Sequence, residues 1–150
     1  MAIEKPVALA TNSRMRSEEG SVEQQLAALE AGALDLMTFP HAEHLRLGYE
    51  MLARYSFGDA VTRYSRGLKL LVAKVGNPEI YNETATVAFL ALIGERRGVR
   101  EHASWSEFVS ANPDLLDQRC LEQWYSPEQL ESELARRTFC LPRRRVSEHG

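Results

Sequence analysis

Residues 84–94 read TATVAFLALIG, an uncharged and largely apolar run in the middle of a 150-residue chain. Its apolar residues cover nearly every side of a helix, which is typical of a helix surrounded by other elements. A helix that crosses a bilayer needs about 18 or more such residues, so this run is too short to span a membrane. We therefore predict a central helix over residues 80–97, ended by Gly98, and no association with membranes.

The residues before this run contain signals that start and end further helices. Capping boxes, which satisfy free backbone N–H groups at a helix start, begin at Ser21 and Ser56. Pro40 fits the first position of a helix, because its missing N–H would be unpaired there anyway. The helix that starts at Ser56 is expected to stop at Gly76. Apolar residues recur every three or four positions in these segments, which indicates helices and not strands.

The C-terminal third is shorter and more broken. Ser104 caps a predicted helix that contains Trp105, and Ser126, followed by a proline, starts a last helix that runs through Leu134. Trp105 and Trp124 are expected as anchors of the core. The whole pattern predicts an all-α fold, an antiparallel bundle of about four main helices with short C-terminal helices.

The chain divides into three predicted parts. Residues 1–20 show no sustained hydrophobic period and are expected to form a flexible N-terminal arm. Residues 21–142 form a single helical domain, for which a chain of 150 residues has the usual size. Residues 143–150 form a basic tail that begins with Arg143, Arg144 and Arg145. A cluster of this kind at a chain end is usually solvated.

Composition excludes several classes of function. The formal net charge of -3 argues against binding nucleic acid, which requires a basic surface. Cys120 and Cys140 form no CxxC pair, and we find no secretory signal, so we expect reduced thiols and a cytoplasmic location. Neither GxGxxG nor GxxxxGK[ST] occurs, so no nucleotide cofactor is expected.

His41 and His44 are three residues apart near the start of a predicted helix. This spacing places both imidazole rings on one face, where they can point at a common centre. Glu83 lies at the start of the central helix, a place where the helix dipole also favours a carboxylate. If the two helix starts meet, these side chains form a two-histidine-one-carboxylate site for zinc, iron or manganese.

Further residues near this cluster are candidates for a supporting role. Arg46 can clamp a carboxylate or a phosphate through forked hydrogen bonds. Thr84 and Thr86 can orient ligands or substrate, and Tyr49 or Tyr64 can donate a proton. We assign catalytic roles to Tyr49 and Thr86 and ligand-binding roles to Arg46 and Thr84.

Two functional hypotheses follow from these residues. The first is a small metal-dependent enzyme that acts on a small polar metabolite, with the metal polarising a substrate oxygen or activating water. The alternative is a non-catalytic helical module that binds a small ligand or a protein partner, with both histidines merely hydrogen-bonded. A homodimer is also expected, because the broken C-terminal third can leave an apolar patch for a second copy to bury.

Two stretches carry a resemblance to a known family: residues 39–46, FPHAEHLR, and residues 82–86, NETAT. There the chain resembles small bacterial all-helical proteins of unassigned function, with the pattern F-x-H-x-x-H-L-R followed by E-T-x-T and an apolar helix. The resemblance spans residues 39–141. It implies that five residues belong to one site: His41, His44, Glu83, Thr84 and Thr86. Asn82 stands where that pattern has a histidine, which removes a possible third imidazole.

Overall fold

The structure, a computed structural model, describes residues 21–143, which form helices and turns without a strand. The predicted all-α fold is therefore confirmed, whereas the antiparallel order of its main helices stays a prediction. The helices of this part of the chain are α1 (21–30), α2 (His41–Arg54), α3 (Phe57–Lys74), α4 (Glu83–Val99), α5 (Trp105–Ala111), α6 (Pro127–Glu131) and α7 (Glu133–Arg137). The predicted N-terminal arm, 1–20, and residues 144–150 of the predicted tail lie outside the described residues.

Local side-chain caps start several of these helices. The side chains of Ser56, Asn82 and Ser104 each accept a hydrogen bond from the backbone N–H three residues later. Such caps satisfy N–H groups that have no partner inside the helix. Pro40 lies immediately before α2 and not in its first turn. The predicted starts of α3 and α5 are confirmed.

Two of the predicted helices are shorter than expected. Residues Pro78–Ile80 form a separate 3-10 turn, and Tyr81 is extended, so α4 begins at Glu83 and not at residue 80. The predicted last helix is divided at Ser132, whose backbone is extended (φ -66°, ψ 152°). The Ser132 hydroxyl accepts from the N–H of Ala135 and donates to the carbonyl of Gln129. A serine that binds nearby backbone groups competes with a continuous helix.

The central position of α4 is confirmed on most of its sides. It packs against α2, α3 and α7, and Leu90 and Ile93 are almost completely buried there. One strip of the helix faces solvent: Ala91, Glu95 and Val99 are exposed. The expectation that α4 is covered all round is therefore wrong along this strip.

α1 and α3 touch at a glycine. A Cβ atom built on Gly67 would lie 2.2 Å from the carbonyl oxygen of Leu29, which is closer than atoms can approach. Leu29 is fully buried at this contact. Only a residue without a side chain allows the two helices to pack at this distance.

Several apolar side chains remain exposed. Met37 and Val99 are 90% and 82% exposed, and the homodimer expected from the sequence stays a prediction. Trp105 packs against Tyr49 and Phe108 as an anchor of the core. Trp124 is 42% exposed, so its expected role in the core is wrong. Within residues 21–143, no helix combines the length and apolar character needed to cross a bilayer.

Candidate functional site

A cavity of about 540 Å³ lies between α2, α3 and α4. Its walls are mainly apolar and include Phe39, Leu68, Phe89 and Leu90. Seven polar side chains also reach its surface: His41, His44, Tyr64, Tyr81, Asn82, Thr86 and Gln118. No lysine, arginine, aspartate or glutamate side chain of the described residues lines it. A largely apolar cavity with a few polar groups is the usual form of a small-molecule site.

His41 lies in the first turn of α2 and is held by a backbone group far along the chain. Its Nε2 atom lies 3.0 Å from the carbonyl oxygen of Leu115, and its ring meets the ring of Phe89 edge-on at 5.1 Å. A carbonyl oxygen can only accept, so the Nε2 atom donates this hydrogen bond. In the neutral imidazole with its hydrogen on Nε2, the Nδ1 atom is the acceptor.

His44 lies one helical turn further along α2, with its ring centre 4.0 Å from that of Phe39. The pKa of His44 is lowered from its ordinary 6.5 to about 4, mainly by burial and to a smaller extent by the nearby His41. The backbone of Phe39 acts in the opposite direction and is the weakest of the three effects on this pKa. His44 is therefore neutral at pH 7, with one ring nitrogen that can accept a hydrogen bond.

Three hydroxyl groups on the cavity wall donate to groups within the protein. Tyr64 donates to the carbonyl of His44 at 2.8 Å, and Thr86 donates to the carbonyl of Asn82 at 2.8 Å. Tyr81 donates to the carboxylate of Glu83 at 2.5 Å. Burial raises the pKa of both tyrosines, and the Glu83 carboxylate raises that of Tyr81 further. Both phenols therefore keep their protons across the physiological range.

Glu83 does not join the two histidines. Its carboxylate accepts the Tyr81 hydroxyl hydrogen and lies 3.7 Å from the Nζ atom of Lys69, and it is absent from the cavity wall. Among the described residues, no group of three or more His, Cys, Asp or Glu side chains is placed to hold a metal ion. The predicted set of His41, His44 and Glu83 is therefore not brought together as metal ligands.

Thr84, a predicted ligand-binding residue, is buried away from the cavity. It is completely inaccessible to solvent. Its hydroxyl donates to the carbonyl of Thr138 at 2.7 Å and accepts from the N–H of Cys140 at 3.0 Å. Thr84 thus fixes the C-terminal segment to α4.

Arg46 and Tyr49 also lie outside the cavity. Arg46 forms a two-pronged ion pair with Glu43, with N–O distances of 2.8 Å and 3.0 Å, and it also donates to Gln25. The ring of Tyr49 is buried against Phe108, and the Arg97 guanidinium lies 5.1 Å from its centre. Of the four residues assigned catalytic or ligand-binding roles, Thr86 alone lines the cavity, and Tyr64, the alternative proton donor, lines it as well.

Several residues of the cavity were not predicted. Phe89 lies one helical turn from Ala85 and Thr86, so helical periodicity places it on the same face of α4. Tyr81 lies close to Glu83 in the chain, a second usable signal. Gln118 comes from an irregular part of the chain, and no local pattern points to it.

Comparison with known proteins gives no match to a protein family, a curated protein or a solved structure. The resemblance carried by residues 39–46 and 82–86 therefore stays a prediction. His41, His44 and Thr86 do line one cavity, whereas Glu83 and Thr84 do not. The geometry and chemistry of the cavity carry the functional conclusion.

Proposed function

We propose that this chain is a small helical module that binds an uncharged, largely apolar small molecule in the cavity between α2, α3 and α4. The observation that carries the proposal is a volume of about 540 Å³ with apolar walls and a few polar side chains. Sites for organic ligands commonly have volumes of about 300–1,000 Å³ and this composition. This is the ligand-binding form of the second hypothesis drawn from the sequence.

The charge of the wall favours an uncharged ligand. No lysine, arginine, aspartate or glutamate side chain of the described residues lines the cavity, and His44 is neutral at pH 7 because its pKa is lowered to about 4, mainly by burial. A charged ligand would give up its hydration on entering the cavity and would find no partner of opposite charge there, which is strongly unfavourable. An apolar ligand meets no such penalty here.

A fluorescent probe and one cavity-filling substitution test the proposal. N-phenyl-1-naphthylamine, which brightens in apolar surroundings, should bind the full chain with one saturable site. Ala85 lines the cavity, so Ala85→Leu should weaken this binding by about tenfold or more by occupying space that the probe needs.

Ala53→Leu is the matched control, because Ala53 is exposed on α2 and does not line the cavity. This variant should bind the probe like the wild type, and circular dichroism should show both variants folded. An unsaturable signal, or equal binding by the Ala85 and Ala53 variants, would contradict the proposal.

The metal-dependent enzyme remains the second candidate, on one observation. His41 donates Nε2–H to the Leu115 carbonyl, and metal-binding histidines commonly fix their second nitrogen in this way. Glu83 does not complete the site in this structure, so any further ligands must come from elsewhere. Elemental analysis after incubation with zinc, iron or manganese should show metal in the wild type and its loss in His44→Ala. Absence of metal from the wild type removes this candidate.

A further inference from the structure

Most of the hydroxyl and imidazole hydrogens on the cavity wall are donated within the protein. The hydroxyl hydrogens of Tyr64, Tyr81 and Thr86 go to His44, Glu83 and Asn82 respectively. Each hydroxyl oxygen still has lone pairs. These three groups can therefore accept hydrogen bonds from a ligand more readily than they can donate to it.

Two of the nitrogen-bound hydrogens follow the same pattern. His41 donates Nε2–H to the Leu115 carbonyl. One amide hydrogen of Asn82 goes to the Leu130 carbonyl at 2.6 Å. The side-chain donors that remain on the wall are the ring N–H of His44, the second amide hydrogen of Asn82 and the amide of the exposed Gln118.

Because the wall offers more free acceptors than hydroxyl or imidazole donors, we infer that the ligand is an uncharged planar aromatic molecule that carries its own N–H or O–H donor. The inference rests on the proposed function and names the chemical class of its ligand. A buried acceptor that faces a ligand without hydrogens loses its bond to water and gains nothing in exchange. A ligand with an N–H or O–H group restores that bond.

The aromatic part of the inference comes from the rings around the cavity. Phe39 and Phe89 line it with the rings of Tyr64 and Tyr81, and the imidazoles add two further planar groups. The ring of His44 lies at 4.0 Å from that of Phe39, and the ring of His41 at 5.1 Å from that of Phe89. Aromatic molecules pack favourably against rings in offset or edge-on arrangements.

An ammonium ligand would also donate hydrogens, but the charges around the cavity disfavour it. No carboxylate of the described residues lines the wall. The Glu83 carboxylate, just beyond Tyr81, is already paired with the Nζ atom of Lys69 at 3.7 Å. A buried cation without a counter-charge is unstable, so the donor belongs to a neutral group.

Three naphthalene compounds test the inference on the full chain by isothermal titration at pH 7. The first, 2-naphthol, has an O–H donor, 2-methoxynaphthalene has the same rings without the donor, and 2-naphthoate adds a negative charge. We expect 2-naphthol to bind about tenfold or more tightly than each of the other two. Equal or tighter binding of the methyl ether overturns the inference but leaves the proposed function standing. Binding of none of the three overturns both.

Two variants connect this preference to the imidazole nitrogens. His41→Phe and His44→Phe keep a ring on the wall and remove an acceptor, so each should reduce the affinity ratio of 2-naphthol to the methyl ether by about threefold or more. The ratio is informative even if one variant is less stable, because both compounds meet the same protein. His102→Phe, at a residue outside the cavity, should leave the ratio unchanged. An unchanged ratio in both the His41 and His44 variants overturns the assignment.

Discussion

The hydroxyl oxygen of Thr84 accepts a hydrogen bond from the backbone N–H of Cys140 at 3.0 Å. The same hydroxyl donates to the carbonyl of Thr138 at 2.7 Å. Because Thr84 is completely buried, no water can replace either bond. One side chain at the start of α4 thus satisfies two backbone groups of a segment more than fifty residues further along the chain.

Thr84→Val should destabilise the protein strongly. Valine has nearly the same shape but leaves the Thr138 carbonyl and the Cys140 N–H without partners, at a cost of about 2–4 kcal/mol in the free energy of unfolding. Urea denaturation measures this loss. Thr62→Val is the control, because the Thr62 hydroxyl bonds only to its own helix and is exposed, and its effect should stay below about 1 kcal/mol. Equal losses in the two variants would contradict this account of Thr84.

Gly67→Ala should destabilise the contact between α1 and α3. The new Cβ would lie 2.2 Å from the Leu29 carbonyl oxygen, so the helices must separate, at a cost of about 2 kcal/mol or more. Gly58→Ala is the matched control on the same helix, because nothing lies within 4 Å of its added Cβ. It should leave stability unchanged or raise it by up to about 1 kcal/mol. Thermal unfolding compares the two, and a tolerated Gly67 substitution would show that the helices do not pack this closely.

Acid should destabilise the fold through His44. Its pKa is about 4 in the folded chain and 6.5 when unfolded, so below pH 6.5 the unfolded state binds the proton more readily. The resulting loss of about 3 kcal/mol should develop as pH falls from 6.5 to 4, with stability fully retained above that range.

Urea denaturation of the wild type and of His44→Gln at pH 7 and pH 4.5 measures this effect. The variant should lose less stability than the wild type between the two pH values, because glutamine does not titrate. The hydrogen bond from Arg96 lowers the pKa of Asp114 below its ordinary 3.8. The contribution of Asp114 to the stability of the fold is therefore lost only in more acidic solution. The same decline in both proteins would refute the assignment to His44.

The ion pair between Arg96 and Asp114 should contribute measurably to stability. Its two parallel bonds, at 2.7 Å and 2.8 Å, join α4 to the turn that follows α5. A double-mutant cycle with Arg96→Met and Asp114→Asn should give a coupling of about 1 kcal/mol that decreases in high salt. The more exposed pair of Arg137 and Glu133, at 3.9 Å, should give a coupling near zero. Similar couplings in the two cycles would argue against a special role for the two-pronged pair.

Much of the helical structure could be predicted from the sequence because its causes are local. The caps at Ser56 and Ser104 depend on groups within four residues, and so does the placement of His41 and His44 on one face of α2. The prediction was less accurate where distant packing decides the outcome. Trp124 is exposed in spite of its large apolar ring, because burial depends on which surface the folded chain offers it.

The candidate site shows the same division. That His41 and His44 share a cavity with Thr86 follows from helical spacing together with the meeting of two helices. The direction in which Glu83 points does not follow from spacing, because Tyr81 and Lys69 compete for its carboxylate. Helical spacing therefore made a two-histidine-one-carboxylate set a reasonable prediction, but the contacts of Glu83 in three dimensions decide where its carboxylate lies.

The sequence by itself determined an all-α chain with defined helix starts and an apolar central helix. These properties depend on hydrogen bonds between near neighbours and on the helical period. The tertiary structure alone decided that α2, α3 and α4 surround a cavity whose described wall has no lysine, arginine, aspartate or glutamate side chain, and that burial is the main cause that lowers the pKa of His44 to about 4. The physical reason is that desolvation and the choice of a hydrogen-bond partner depend on residues brought together from distant parts of the chain.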